Sequence, residues 1–459
     1  MDLQVLFSPE FLILLEAIFI AALFLFLVAS KNFTNGIYIW LLAYLLFRYQ
    51  RIDASGSLLP DISLERILFA FLVIIFVMEV LMKKHKIFHI AGIERSMFLF
   101  GLLVIISMFY TGSFLKEGGR LQMGTFIPAY VYPFGIFFIS QSVYDSAEKR
   151  EGFIKFLMLM GLYLTSMAIF EHFGMDRFVF PKYILDPAFG IHQERARGPF
   201  AMAAANGMAL GFVFMGSFYF LLKSKKKILW KICSSALLAL TPFAIFFTYT
   251  RGPWMGAFFG LMILVIFSLR HRKRFFITTL IILSIITILG SYLILDEDTA
   301  FAASRRIHNE EPVYDRLNLF IASINMFAHH PIFGVGFGKF SEHVADYYRN
   351  IDGIPFRDAE VAIHDTFTGI LAETGLAGFT LILSIYIFII SKSIRLYRYL
   401  TVHDIESRDL VAIFLAIMAI YLVSAVFTGM RYCGFISSLF YIFAGIICGW
   451  ERRVNEKIA

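Results

Sequence analysis

Apolar residues in this chain come in long, uninterrupted runs parted by short polar breaks. The runs fall near 11–29, 37–48, 65–82, 97–111, 124–143, 153–171, 200–222, 229–248, 253–269, 275–295, 364–391, 409–427 and 432–450. Most hold roughly 18–22 residues, the length at which a helix crosses about 30 Å of hydrocarbon. Polarity does not alternate along them, so helices are predicted rather than the strands of a barrel. The pattern predicts about 13 spans. The run at 37–48 is too short to cross in the ordinary way and reads as a tilted, short or re-entrant piece, which leaves the count at 12 to 14.

Composition agrees with a bilayer as solvent. Of 459 residues, 59% are hydrophobic and only 16% charged, and the mean hydropathy of +0.74 lies outside the range of water-soluble domains. The expectation is one all-α, polytopic integral membrane domain over residues 1–459. A net charge of +7 could suggest nucleic acid, but its distribution argues otherwise. Lys83-Lys84-His85-Lys86, Lys149-Arg150, Lys223 with Lys225 to Lys227, Arg270 to Arg274, Lys392 to Arg398 and Arg452-Arg453 all fall on one side of the weave. Such clusters mark the cytoplasmic face.

The opposite, outer side then receives 49–64, 112–123, a loop at 172–199, the turn at 249–252, a long segment at 296–363 and the turn at 428–431. The same weave places the N-terminus outside, and the start Met1-Asp2-Leu3 lacks the basic region of a cleaved leader. Cys233, Cys433 and Cys448 lack metal-ligand spacing and lie in or beside apolar runs, which points away from disulfide or zinc chemistry. No metal site or cofactor is expected, since Glu310, Glu311, Asp315 and Asp352 do not form a cage.

Segment 296–363 is large enough to hold structure of its own. Pro312 suits a first helical turn, and Val313, Leu317, Phe320, Ile321, Ile324 and Phe327 recur at helical spacing, predicting an amphipathic helix along the membrane surface. The glycines of Gly334-Val335-Gly336-Phe337-Gly338 follow no strand, so they read as a flexible turn joining two surface helices rather than as a phosphate loop.

Arginines on the outer side run against the charge rule: Arg120, Arg195, Arg197, Arg251, Arg305, Arg306, Arg316 and Arg431. They would meet either an anionic ligand or, more blandly, lipid headgroups and the acids Glu194, Asp315 and Glu360. His364 opens a span in Ile363-His364-Asp365-Thr366. In the first turn of a helix it would feel the positive end of the dipole, which favours the neutral imidazole that a general base requires. Glu373, further along the same run, is ionisable at membrane depth and needs a partner or a wet cavity.

Taken together, these residues resemble the O-antigen ligase and O-antigen polymerase superfamily of membrane glycosyltransferases. The resemblance runs over about 190–380. It rests on Arg197-Gly198 followed by Asn206, Thr248-Tyr249-Thr250-Arg251-Gly252, Arg316 ahead of His330-Pro331-Ile332-Phe333-Gly334-Val335-Gly336, and His364 with Leu371-Ala372-Glu373-Thr374-Gly375-Leu376. Two positions depart from the pattern: Thr250 stands where serine is common, and Asp365 where asparagine is usual, the latter able to raise the pKa of His364.

The resemblance implies a GT-C-like enzyme of the bacterial cytoplasmic membrane with its active site facing the periplasm. Its donor would be an undecaprenyl (polyprenyl) diphosphate-linked oligosaccharide, its acceptor a glycan, and a chain-length regulator and a flippase would be its partners. Arg197, Arg251 and Arg316 would hold the donor diphosphate, with Arg195, Arg120, Arg431, Asn206 and Glu373 as secondary candidates and His364 as the base of a metal-independent, inverting transfer. Arginine forks suit phosphate oxygens because they bind two at once and stay charged. Polymerisation of lipid-linked repeat units is the favoured reaction; en bloc ligation to lipid A-core or another acceptor, including protein, is the alternative. A lipid-linked oligosaccharide flippase or an anchor for a synthesis complex is a reading of another class, though no internal repeat of the transporter kind is visible.

Overall fold

The computed structural model describes residues 28–49 except 30, 51–52, 61–112 except 87 and 89, 117–223 except 191, 228–267, 311–347 and 364–458. The chain there is helical, apart from a two-residue antiparallel pair that joins β1 (Arg51–Ile52) to β2 (Ile62–Ser63). Eight helices among the described residues are long and apolar enough to cross a membrane. The protein is therefore an all-α, multi-pass membrane protein. The predicted runs at 11–29, all but its end, and at 275–295 lie outside the described residues, as do Arg305, Arg306, Glu310, Asp352 and Glu360. Helices are numbered α1 to α14 as they occur.

The described residues form two compact units. The first takes residues up to 153, 381–389 and 431–459. It contains α1 (Phe33–Leu46), α2 (Leu64–Leu81), α3 (Gly92–Tyr110), α4 (Glu117–Phe126), α5 (Tyr132–Val143) and α14 (Gly434–Ile458). At 14 residues α1 is indeed too short to cross upright. Between α4 and α5 the chain widens into a π turn over Ile127–Val131, closed by Tyr132 N–H on the Ile127 carbonyl. Pro128 and Pro133 explain it: neither can donate the N–H that a continuous α-helix would need there. The spanning part of α14 is wholly buried. Its basic end is clasped by buried polar groups. Arg452 donates to Glu94 (2.5 Å), and Arg453 donates to the carbonyls of Gln141 (2.7 Å) and Tyr144 (3.0 Å).

The second unit takes 154–380 and 390–430. It holds most of α6 (Ala147–His172), then α7 (Ala203–Leu222), α8 (Ile228–Phe247), α9 (Arg251–Phe267), α10 (Glu311–His329), α11 (Phe340–Tyr347), much of α12 (Thr366–His403) and α13 (Ile405–Phe427). α7 is the buried centre, and the apolar face of α9 runs along α13. One end of this unit gathers four separate loops. Ala196 N–H donates to the Phe247 carbonyl (3.0 Å), Gly252 lies against Phe427, the Thr366 hydroxyl donates to the Thr428 carbonyl (2.7 Å), and Met430 N–H donates to the Thr366 hydroxyl (2.8 Å). At the other end the Tyr397 hydroxyl donates to the Phe267 carbonyl and the Arg408 guanidinium lies over the Tyr397 ring. The charge pattern assigned these two sets of residues to opposite sides, and the second unit keeps them at opposite ends.

The span expected at 364–391 extends to 38 residues and is broken inside by Gly375, at φ 61° and ψ −162°. A break costs a helix its hydrogen bonds on both sides of the kink. Here the segment after α10 replaces them. Val335 and Gly336 N–H groups take the carbonyls of Ala372 (2.9 Å) and Glu373 (3.0 Å), while Leu376 and Ala377 N–H groups turn to the carbonyls of Pro331 (2.8 Å) and Ile332 (3.1 Å). Gly334 and Gly375 are glycines because both have positive φ and stand against opposing backbone: a Cβ would sit 2.3 Å from Glu373 C at one and 2.4 Å from Ile332 C at the other. The glycine cluster does join two helices, but as a packed splint rather than a flexible turn.

Candidate functional site

Arg251 is the first residue of α9, reached through a tight turn from α8. Tyr249 takes φ 46°, and the Thr250 hydroxyl donates to the Thr248 carbonyl (2.9 Å). The Ile245 carbonyl, left over where α8 ends, accepts from the Thr248 hydroxyl (2.6 Å) and from Trp254 Nε1 (2.9 Å). Threonine at 250 therefore does the turn's work with its hydroxyl, as serine could. The guanidinium of Arg251 is exposed beyond this scaffold.

Arg316 lies on α10 and is also exposed. Desolvation by its surroundings, and then the positive charge of Arg251, lower its pKa below the ordinary arginine value. The two positive charges are thus near enough to act on one another, and they repel. Like charges held together in this way are stabilised by whatever anion comes between them.

His364 is exposed and stands just outside the N-cap of α12. The first-turn position expected from sequence is corrected: Asp365 is the cap, and the helix starts at Thr366. The carboxylate of Asp365 accepts from Phe367 N–H (2.9 Å), Thr368 N–H (3.4 Å) and the Thr368 hydroxyl (2.8 Å). Both of its oxygens are thereby committed to the helix, an arrangement favoured because a capping acid satisfies otherwise unpaired N–H groups. Thr366, two residues beyond His364, is the residue tied to Thr428 and Met430, next to the Phe427 that touches Gly252. Arg251, Arg316 and the anchor of His364 consequently share one end of the second unit.

Arg197 is placed differently. It is 1% exposed, and its Nη1 and Nη2 donate to the carbonyls of Phe189 (2.6 Å) and Ile184 (2.5 Å). Its own N–H and that of Gly198 both donate to the Glu171 carboxylate (2.8 and 2.9 Å). Asn206, fully buried, holds the Ala196 carbonyl with Nδ2 (3.1 Å) and lies against Gly198. The Arg-Gly and Asn signature is here the framework of a loop, and Arg197 is turned inward.

Glu373 is 1% exposed, and its carboxylate accepts from Phe340 N–H (3.3 Å), the first residue of α11. It caps that helix from outside, favourably for the helix dipole. Arg195 is half-buried and lies 3.5 Å from Glu194. Arg431 belongs to the first unit, in a single turn over Met430–Tyr432. Arg120 falls in α4, with its side chain outside the described residues. Among the described residues no group of three His, Cys, Asp or Glu could hold a metal ion.

Sequence reading missed Glu171 and Thr366, which position the Arg197 loop and the His364 strand. Glu171 carried one signal, an acid beside His172 at the very end of an apolar run. Thr366 carried none, because its partners are backbone groups more than 60 residues away.

No individual curated protein matches the sequence. A family model described as O-antigen ligase matches residues 235–383, about a third of the chain. That stretch contains Arg251, Arg316, His364 and Glu373, and leaves Arg197 and Asn206 outside. Residues 235–383 thus match the O-antigen ligase family model, which is consistent with the O-antigen ligase and polymerase superfamily of membrane proteins.

Proposed function

We propose that this protein is a glycosyltransferase of polysaccharide biosynthesis that polymerises polyprenyl-diphosphate-linked oligosaccharide repeat units at the outer face of the bacterial cytoplasmic membrane. The observation that carries the reading is that Arg251 and Arg316, both exposed residues, are near enough for the charge of one to act on the other, at the end of the second unit where the segment of His364 is pinned. Such a pair suits a diphosphate. As an acceptor hydroxyl attacks the anomeric carbon, the bond from that carbon to the phosphate oxygen breaks and charge gathers on the departing diphosphate. Two fixed guanidinium forks stabilise that charge more than they stabilise the intact donor. His364 takes the hydroxyl proton. A single displacement inverts the anomeric centre, and the chain's own cations supply the electrostatic stabilisation.

Transfer of a finished glycan en bloc to lipid A-core or another acceptor is the second reading, favoured by the description of the matched family as O-antigen ligase. The two share a donor and differ in acceptor. Purified protein in liposomes, given lipid-linked oligosaccharide alone, should yield a ladder of longer lipid-linked chains, whereas ligation would need a second acceptor to be added. His364→Ala should abolish either product without changing the thermal melt. Undiminished turnover in that variant would remove His364 as the base.

A further inference from the structure

α10 has two apolar faces. Leu319, Ala322 and Met326 are buried with Phe340 and Val344 of α11 and Ala372 of α12. The face turned the other way, Leu317, Phe320 and Ile324, is 37–46% exposed. It was this second face that the sequence marked as the apolar stripe. No ionisable residue occurs from Leu317 to Ala328. Beyond α10, Ile332 (62%) and Phe333 (66%) are exposed as well, in a segment bonded to Leu376 and Ala377 of α12, and Leu376 is itself 52% exposed. Large apolar side chains left exposed in neighbouring segments point to a contact face.

The occupant follows from the helix to which the surface is joined. The part of α12 beyond the Gly375 break runs to His403, about 42 Å at 1.5 Å per residue, longer than the hydrocarbon thickness. Its first segment, before the Gly375 break, carries Thr366, Thr368, Glu373 and Thr374, whereas no charged residue follows Leu376 until Lys392. The charge-free run of α12 therefore starts at the break, beside the segment that carries Ile332 and Phe333.

We infer that α10 and the 331–333 elbow are seated in the membrane interface at this end of the second unit, with Leu317, Phe320, Ile324, Ile332 and Phe333 reaching the acyl chains. Interfacial helices dip an apolar face by roughly 5–10 Å in this way. Arg316 adjoins Leu317 on the flank between the two apolar faces, so the seating holds its guanidinium at the level of lipid phosphates. That consequence rests on the proposed glycosyl transfer, in which a lipid-borne diphosphate is the ligand; the seating does not.

Nitroxide spin labels test it on the full chain in phosphatidylcholine and phosphatidylglycerol liposomes, in a Cys233→Ser background. Labels at Phe320→Cys and Phe333→Cys should be more accessible to oxygen than to a water-soluble nickel chelate, and a label at Glu342→Cys on α11 the reverse. Equal nickel accessibility at all three sites overturns the seating. The double variant Phe320→Lys and Ile324→Lys should lower turnover of the lipid-linked donor about tenfold or more, since small misplacements of a binding group are costly. Unchanged turnover would detach Arg316 from the seating. Unmodified protein that joins no glycans at all would remove the functional reading and leave the label depths to decide the seating alone.

Discussion

The loop around Arg197 and the rim formed by Arg251 and Arg316 use the same side chain for opposite purposes. Arg197 is buried, and its fork closes on the carbonyls of its own loop, while Glu171 gathers the backbone beneath it. Arg251 and Arg316 are exposed and work against each other. In the first case the charge stabilises the fold. In the second the fold sustains a repulsion that an arriving diphosphate would relieve. Arginine in a loop between spans is therefore not a sign of ligand binding until its hydrogen bonds have been followed to their ends.

Mutation should separate the two regions by splitting activity from stability. Arg251→Met or Arg316→Met removes one of two repelling charges, so the thermal melt should hold steady or rise. Turnover of lipid-linked oligosaccharide should fall by about 10²–10³, the effect of losing one preorganised donor to a developing anion. Arg251→Lys should recover little of it, because an ammonium is no fork. If either Met variant loses stability in step with activity, the rim is structural and the contrast collapses.

Arg197→Met should behave in the reverse manner. It leaves the carbonyls of Ile184 and Phe189 without their buried donors, at a cost of about 3 kcal/mol. The melt should drop sharply in detergent, and whatever activity survives should show an unchanged KM. An Arg197 variant that folds as well as the parent but binds donor poorly would restore this residue to the site.

The all-α, multi-pass architecture was legible in sequence because the bilayer selects on composition, and runs such as 200–222 and 409–427 declare themselves by apolar length alone. Arg251 and Arg316 drew notice for a related reason, as cations in loops that the charge pattern assigned to the side depleted of them. What stayed hidden was decided by backbone partners. Arg197 is held by carbonyls 8 and 13 residues away, and the Glu373 carboxylate accepts from an N–H 33 residues away. Backbone groups are the same at every position and leave no mark in a pattern of side chains. The stripe on α10 was read correctly as apolar, but its neighbour Leu319-Ala322-Met326, smaller and less hydrophobic, is the face that packs.

Rim geometry also depends on the splint between the α10–α11 pair and the broken α12. Gly375→Ala and Gly334→Ala each place a methyl at positive φ against opposing backbone, and each should cost about 2–3 kcal/mol. Because four hydrogen bonds register Arg316's helix to the helix that begins beside His364, activity should decline in the fraction that remains folded. An alanine at either site that leaves both melt and turnover intact would show the splint to be dispensable.

The smallest effect concerns Asp365, and it separates capping from chemistry at the edge of the rim. If this carboxylate acts only as the N-cap of α12, Asp365→Asn should be nearly silent, because asparagine caps as well as aspartate, and Asp365→Ala should cost about 1 kcal/mol. If the charge instead tunes His364, Asn and Ala would shift the pH dependence of turnover together: removing a neighbouring negative charge lowers an imidazole pKa, so the rising limb would move to lower pH. The hydrogen bonds of both carboxylate oxygens to Phe367 and Thr368 favour the first outcome. A pH profile of the Asn variant that overlays the parent, beside a melt lowered only in the Ala variant, is the expected result. A displaced profile in both variants would draw Asp365 into the proton transfer and extend the rim by one residue.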